Sequence, residues 1–401
     1  MFHSSSHVST GGLLRTTAGF NVDNSTFNLN KGNVFIEQFD AHVFNLNYLN
    51  IRDGSFATEV SQMFNISHLE IFDGFFGGTT IFVDLLHFYG GSLLNHTTTT
   101  VNSLVFTDSG SKIFTEESLV VALNSAIWNQ GHVNGENSSR LTIPTESFLN
   151  LIGTEGWFVP EQVEVNSAIY AEGPVTFSTS DSIIMQWDLF AEFISISNGV
   201  VTFDKNLVLV KDVAFAPETD IYLKGEFNVS DSIIGSGDIY IDDPNSLIAY
   251  NGIVDLSGVL YMKDGLLDLR LSTIRNITIE YTGGIILFRE DIRGEIIRLP
   301  YVGIDLVIDD SILELVDIGI CDAPITVKNS VIDRFLVGTM TDKCILKFLE
   351  YAIVAELKIG HMNGGELVFG SDSDVKLDSI TLNDGLIKAE INSSPSFSKV
   401  N

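Results

Sequence analysis

The chain has 401 residues, of which 45% are hydrophobic, so it can bury a large core and is not disordered as a whole. Its 22 Lys and Arg are outnumbered by 52 Asp and Glu, which gives a formal net charge of -30. Phosphate recognition needs clustered basic residues, so this balance argues against nucleic acid and anionic lipid as partners. The composition therefore predicts a folded, acidic protein.

The N-terminal segment 1–20, MFHSSSHVSTGGLLRTTAGF, lacks the apolar core of a signal peptide and is predicted to form a cap or an irregular segment. No later segment offers the roughly 20 uncharged apolar residues that cross a membrane. The most apolar one, residues 344–359, is interrupted by Lys347, Glu350 and Glu356. We expect no membrane span in this chain.

One short motif recurs from residue 49 onwards: apolar-x-apolar-x-Asp/Asn-Gly/Ser-x-apolar. Its first two copies are LNIRDGSF at 49–56 and LEIFDGFF at 69–76. Seven more copies begin at residues 177, 194, 227, 260, 306, 325 and 380. Their spacing fits a loose repeat of roughly 16–23 residues, which is the sequence signature of a stacked repeat architecture.

Each copy is typical of a short strand that ends in a tight turn. The alternating apolar residues bury one face of a strand, and the Asp/Asn-Gly/Ser pair supplies positive φ or side-chain bonds to the backbone. Asn and Ser replace Asp and Gly in several copies, so the position requires a corner former and not a carboxylate. The predicted turn residues are Asp53, Gly54, Asp73, Gly74, Asp181, Asn198, Gly199, Asp231, Asp264, Gly265, Asp310, Asn329, Asp384 and Gly385.

The repeat predicts an all-β chain that forms a single-stranded parallel β-solenoid over residues 21–391, followed by a tail at 392–401. Inward apolar residues of successive coils would then form one continuous core. Antiparallel β-sandwich repeats are the alternative, because Asp-Gly between apolar alternations is also a hairpin signal. A leucine-rich-repeat-like horseshoe is a third option, although its helical return segment is not evident.

This pattern of short strands and Asp/Asn-Gly/Ser corners resembles right-handed parallel β-helices of the pectin-lyase-like class and the repetitive surface proteins built on them. The resemblance extends from about residue 20 to 390. It implies that an enzyme of this kind would use projecting carboxylates on a polysaccharide. The candidates in that case are Asp242, Asp243, Asp309, Asp310 and His361.

The catalytic pattern of polygalacturonase-like enzymes is not matched. Met362 stands where a second Gly should follow His361, and Arg-x-Lys does not occur. We therefore expect a non-catalytic structural or adhesion scaffold that binds a carbohydrate or a surface protein. A carbohydrate-active hydrolase or lyase and a repeat fragment of a larger receptor or adhesin are the alternatives.

Seven Asn-x-Ser/Thr triplets would suit a glycosylated protein that is extracellular or on the cell surface. They begin at Asn24, Asn65, Asn95, Asn137, Asn228, Asn276 and Asn392. Cys321 and Cys344 are about one repeat apart, so they are either a disulfide between neighbouring coils or two buried thiols.

No cofactor or metal site is predicted. The eight histidines show no pair at helical metal spacing together with a carboxylate. The turn aspartates could line up along one edge of a solenoid and offer oxygen ligands to calcium. Their replacement by Asn in other copies favours a role in turn formation.

Overall fold

A computed structural model of the chain describes residues 13–16, 25–29, 33–36, 43–58, 63–78, 81–94, 96–108, 110–115, 117–129, 133–135, 139–152, 168–185, 188–204, 206–241, 246–250 and 252–389. These residues form strands and short turns, and no helix occurs among them. The chain divides into two compact units, Met1–Lys205 and Asn206–Asn401. The predicted tail and the predicted cap, apart from its first strand, lie outside the described residues.

The N-terminal unit is built of strands of 3 to 16 residues. They are β1 (Leu13–Thr16), β2 (Ser25–Leu29), β3 (Asn33–Ile36), β4 (Val43–Ile51), β5 (Ser55–Thr58), β6 (Met63–Ile71), β7 (Gly74–Gly77), β8 (Ile81–Phe88), β9 (Gly91–Leu93), β10 (Thr98–Phe106), β11 (Lys112–Phe114), β12 (Leu119–Trp128), β13 (Val133–Gly135), β14 (Arg140–Ile143), β15 (Leu149–Leu151), β16 (Ala168–Ala171), β17 (Val175–Met185) and β18 (Asp188–Phe203).

Strand pairing in this unit is parallel and joins residues one coil apart. Leu49 pairs with Leu69, Leu69 with Leu86, and Leu86 with Leu104, so each coil adds one member to the same column. The long strands β4, β6, β8 and β10 stack in one sheet, whereas the short strands β5, β7 and β9 stack in another. A hairpin would pair β4 with β5, so the parallel β-solenoid is confirmed and sandwich repeats are excluded for the described residues.

The C-terminal unit has the same construction. Its strands are β19 (Leu207–Phe215), β20 (Thr219–Leu223), β21 (Phe227–Val229), β22 (Ser232–Gly235), β23 (Asp238–Ile241), β24 (Ser246–Tyr250), β25 (Ile253–Met262), β26 (Leu266–Arg270), β27 (Thr273–Tyr281), β28 (Ile285–Arg289), β29 (Ile292–Val302), β30 (Leu306–Asp309), β31 (Ser311–Cys321), β32 (Ile325–Lys328), β33 (Val331–Met340), β34 (Ile345–Leu349), β35 (Ile353–Phe369) and β36 (Asp374–Ala389).

A single column of inward residues shows how the coils of this unit stack. Its members pair in parallel register, each with the residue one coil further along: Ile277, Ile297, Val316, Phe335 and Leu357. Each of them is at most 1% exposed. Burial of one such side chain contributes about 1.5–3 kcal/mol, so these columns are the main stabilising feature of the fold.

Most of the predicted corners lie where one strand ends and the next begins, whereas Asn198 and Gly199 lie inside β18 and Asp384 and Gly385 lie inside β36. Several of these corners have positive φ. These are Gly54, Gly199, Gly265, Gly385, Asp310 and Asn329, with φ between 46° and 130°. Gly74 is required for space instead, because a Cβ there would lie 2.3 Å from the Ile51 side chain of the coil below. Asp181 lies inside β17, where the register shifts between Ser178 and Ser182, so the strand pairing is irregular at this predicted corner.

A disulfide joins Cys321, at the end of β31, to Cys344, just before β34. Both residues are fully buried. The bond links neighbouring coils of the C-terminal unit across 23 residues of sequence.

Candidate functional site

The predicted catalytic acids are either outside the described residues or engaged in contacts between coils. Asp242 and Asp243 lie outside them. Asp309 ends β30, where its Oδ2 lies 2.9 Å from Lys328 Nζ and its Oδ1 accepts a hydrogen bond from Asn329 Nδ2 at 3.1 Å. Asp310 has a φ of 50°, and its N–H donates to the Lys328 carbonyl oxygen at 3.3 Å. Both residues therefore hold one coil to the next.

His361 lies on a different strand from these acids. It is exposed on β35 and is in register with Thr339 of β33, whereas Asp309 is in register with Lys328 of β32. The register therefore does not bring His361 together with Asp309 and Asp310.

The glycosylation candidates among the described residues all form hydrogen bonds through their side-chain amides. Asn276 Nδ2 donates to the Leu256 carbonyl oxygen at 2.7 Å, and its Oδ1 accepts from Arg298 Nη1 at 2.7 Å. Asn65 Nδ2 donates to Asn45 at 3.1 Å, and Asn228 Nδ2 donates to a Glu226 carboxylate oxygen at 3.1 Å. The other four, Asn24, Asn95, Asn137 and Asn392, lie outside the described residues.

A pocket of about 470 Å³ opens on the N-terminal unit, and we call it the amide groove. It extends across β4, β6, β8 and β10, each of which contributes polar side chains from a corresponding position in its coil. The lining includes Asn45, Asn47, Asn65, Asp84 and Asn102, together with the ring of Phe82.

Two hydrogen bonds order the lining of the amide groove. Asn65 donates to Asn45, and Asn102 Nδ2 donates to Asp84 Oδ1 at 2.9 Å. A primary amide has two donors and an acceptor with two lone pairs, so one such bond leaves further hydrogen-bonding capacity. Phe82 is 37% exposed and adds an apolar surface to the polar lining.

A second arrangement on β6 and β8 consists of His68, Glu70 and His87, which we call the His–Glu cluster. One possible ligand atom from each residue lies within 4.8 Å of those of the others. His68 and Glu70 are two positions apart and therefore project from the same face of β6. Glu70 is in register with His87 of the next coil, which brings the third residue alongside.

The Glu70 carboxylate is oriented by two neighbours on β4. The Tyr48 hydroxyl donates to Glu70 Oε2, and Asn50 Nδ2 donates to the same oxygen at 3.3 Å. The other carboxylate oxygen, Oε1, lies 3.3 Å from His68 Nε2. Burial and the hydrogen bond to Glu70 raise the pKa of Tyr48, which keeps its hydroxyl a hydrogen-bond donor.

Aromatic rings enclose the two histidines. The His68 ring centroid lies 5.0 Å from that of Tyr48 and 5.2 Å from that of His87, and His87 lies 6.0 Å from Tyr89. Burial, with a smaller contribution from the nearby His68, lowers the pKa of His87. This shift favours the neutral form of the His87 imidazole. His68 Nε2 and His87 Nδ1 are buried and have no hydrogen-bond partner among the described residues.

Comparison with protein-family models, with curated proteins and with solved structures finds no match to this chain. None of the described residues forms a helix long and apolar enough to cross a membrane.

Proposed function

We propose that this protein is a non-catalytic β-solenoid at an extracellular or cell-surface location, and that it binds a neutral carbohydrate in the amide groove. The lining of that groove carries the proposal. The disulfide between Cys321 and Cys344 supports the location, because disulfides persist in oxidising compartments.

The groove has the size and chemistry that a sugar requires. Its volume of about 470 Å³ lies in the range of roughly 300–1,000 Å³ that is common for small-molecule sites. Asn side chains can donate to one hydroxyl and accept from another, and the exposed Phe82 ring can pack against the C–H face of a sugar. The net charge of -30 disfavours acidic polysaccharides, so a neutral ligand is favoured.

Binding of uncharged oligosaccharides to the full chain, on an array and then by calorimetry, tests this proposal. Phe82→Ala and Asn102→Ala should each weaken binding at least 10-fold. Phe75→Ala is the matched control, because Phe75 is 48% exposed but lies on β7, in the other sheet. The absence of binding to any oligosaccharide would contradict a ligand in the amide groove. An equal loss of affinity in Phe75→Ala would contradict it as well.

A carbohydrate-active enzyme is the second candidate, and one observation in the C-terminal unit favours it. Asp220 and Asp238 are register partners on β20 and β23, so their Cα atoms are about one strand spacing of 4.8 Å apart. Burial and the charge of Asp238 raise the pKa of Asp220, as a general acid requires. Polysaccharide cleavage that Asp220→Asn and Asp238→Asn abolish would replace the scaffold by this enzyme.

A further inference from the structure

We propose that the His–Glu cluster binds one divalent transition-metal ion of the zinc type on the outer face of the N-terminal unit. His68, Glu70 and His87 would supply the three protein ligands. This site is separate from the amide groove in its residues and in its chemistry, so the two proposals can fail independently.

The donor set suits zinc. Two imidazole nitrogens and one carboxylate oxygen form an established three-ligand combination for this ion, with a fourth position for water or another ligand. Zinc bonds of about 2.0–2.1 Å place the donors of a tetrahedral site about 3.3–3.4 Å apart. His68 Nε2 and Glu70 Oε1 are already 3.3 Å apart. The remaining separations are all within 4.8 Å.

The surroundings of Glu70 have the form of an outer shell around a metal ligand. Tyr48 and Asn50 both donate to Oε2, so Oε1 is the oxygen that is presented to His68. Hydrogen bonds of this kind orient a ligating carboxylate and are typical of metal sites. A carboxylate that served only to solubilise the surface would not require two fixed donors.

The histidine nitrogens provide a second, independent observation. His87 Nδ1 is buried without a hydrogen-bond partner among the described residues, as is Asn50 Oδ1; His68 Nε2 is also buried and makes no hydrogen bond, although Glu70 Oε1 lies 3.3 Å from it. Buried polar atoms in native proteins are nearly always satisfied, so such a group calls for an explanation. Metal coordination satisfies imidazole nitrogens. His68 keeps 31% of its side chain exposed although its Nε2 is buried, so the cluster lies just beneath the surface of the unit.

The same unit contains a matched two-ligand control. His96 Nδ1 lies 2.8 Å from a Glu117 carboxylate oxygen, and both side chains are more than half exposed. This pair has no place in the His–Glu cluster. Substitution of His96 therefore shows how much of the zinc binding comes from a single His–Glu pair without a third ligand, in a chain of net charge -30.

Titration of the metal-free full chain with Zn²⁺ by calorimetry tests the site. We expect one tight ion that His68→Ala, His87→Ala and Glu70→Gln each weaken at least 10-fold, whereas His96→Ala leaves it unchanged. Tyr48→Phe removes an orienting bond and should weaken binding about 10–100-fold. Ca²⁺ should not compete, because hard cations prefer oxygen ligands. X-ray absorption at the zinc edge should detect two imidazoles.

Two further measurements separate loss of the site from loss of the fold. The metal-free variants should have the circular dichroism spectrum and melting temperature of the unmodified chain, because all three side chains project outward. Zn²⁺ should raise the melting temperature of the unmodified chain and not that of His68→Ala/His87→Ala. Equal zinc affinity of this double variant and the unmodified chain, or an equal loss with His96→Ala, would overturn the proposal.

Discussion

The buried carboxylate of Asp268 gives a sharp test of how the coils are held together. Asp268 lies on β26 and has no exposed surface, because Arg270 of the same strand and Arg289 of the next coil cover it. Arg270 Nε donates to Asp268 Oδ2 at 2.9 Å. Arg289 donates to Oδ1 at 3.1 Å and to Oδ2 at 2.6 Å.

Asp268→Ala should lower the free energy of unfolding by about 2–4 kcal/mol. Breaking a fully buried ion pair costs about 3–5 kcal/mol because it leaves an uncompensated charge. Here the two arginines are 33% and 37% exposed, so water takes over part of the lost interaction and the expected cost is smaller. Asp255→Ala is the control, since Asp255 is 35% exposed and lies 3.9 Å from Arg275; its cost should stay below about 1 kcal/mol.

The cost should also depend on pH with a definite sign. Burial alone would raise the pKa of Asp268, but the hydrogen bonds and charges of Arg270 and Arg289 outweigh it and hold the pKa below its ordinary value. A lowered folded-state pKa stabilises the protein above the unfolded value of about 3.9, and this stabilisation is lost as the pH falls through the folded value. The difference between the unmodified chain and Asp268→Asn should therefore shrink below pH ~4.

Urea unfolding at pH 7 and at steps down to about pH 2.5 measures both effects. If Asp268→Ala cost no more than Asp255→Ala at pH 7, the buried carboxylate would not hold the coils together. If the difference in free energy of unfolding between the unmodified chain and Asp268→Asn stayed constant across the acid range, the charge of Asp268 would not be its source.

Three further changes test the core, the disulfide and a corner. Phe106 has no exposed surface, so Phe106→Ala should lower the free energy of unfolding in urea by about 3–5 kcal/mol. Phe75→Ala, at an exposed position, should change it by no more than about 0.5 kcal/mol, and equal changes would contradict the inward orientation of Phe106. Cys321→Ser opens a loop closed across 23 residues and should cost about 3 kcal/mol, and a reductant should lower the melting temperature of the unmodified chain only. Gly265 has a φ of 95°, so Gly265→Val should destabilise more than Gly265→Asn; the reverse order would refute a strained corner.

The parts of the fold that could be predicted depend on neighbours in sequence. Alternation of apolar residues favours strands, and Asp/Asn-Gly/Ser after each alternation favours a bend, so an all-β chain with recurring corners follows from local chemistry. The corner at Gly265 is an example, because its positive φ is a property of one residue and its immediate neighbours. Hairpins and coils share these local signals, so the choice between them needed the register.

The candidate sites could not be predicted in the same way, because they depend on how long each coil is. Coil lengths differ along the chain: the step from Leu69 to its register partner Leu86 is much shorter than the step from Leu151 to Phe177. A search at helical spacing does not find the His–Glu cluster, although His68-Leu69-Glu70 has the period of a strand. The partner His87 could be assigned only once the length of that short coil was known.

The same holds for two other contacts between coils. Asp268 and Arg289 are far apart in the sequence but form an ion pair, and Asn45 and Asn102 are far apart but line one pocket. By itself, the sequence determined the strand content, most of the corners and the acidic charge, since each follows from composition or from contacts within one repeat. Only the tertiary structure decided which outward side chains meet, because the length of each coil sets which residues become register partners.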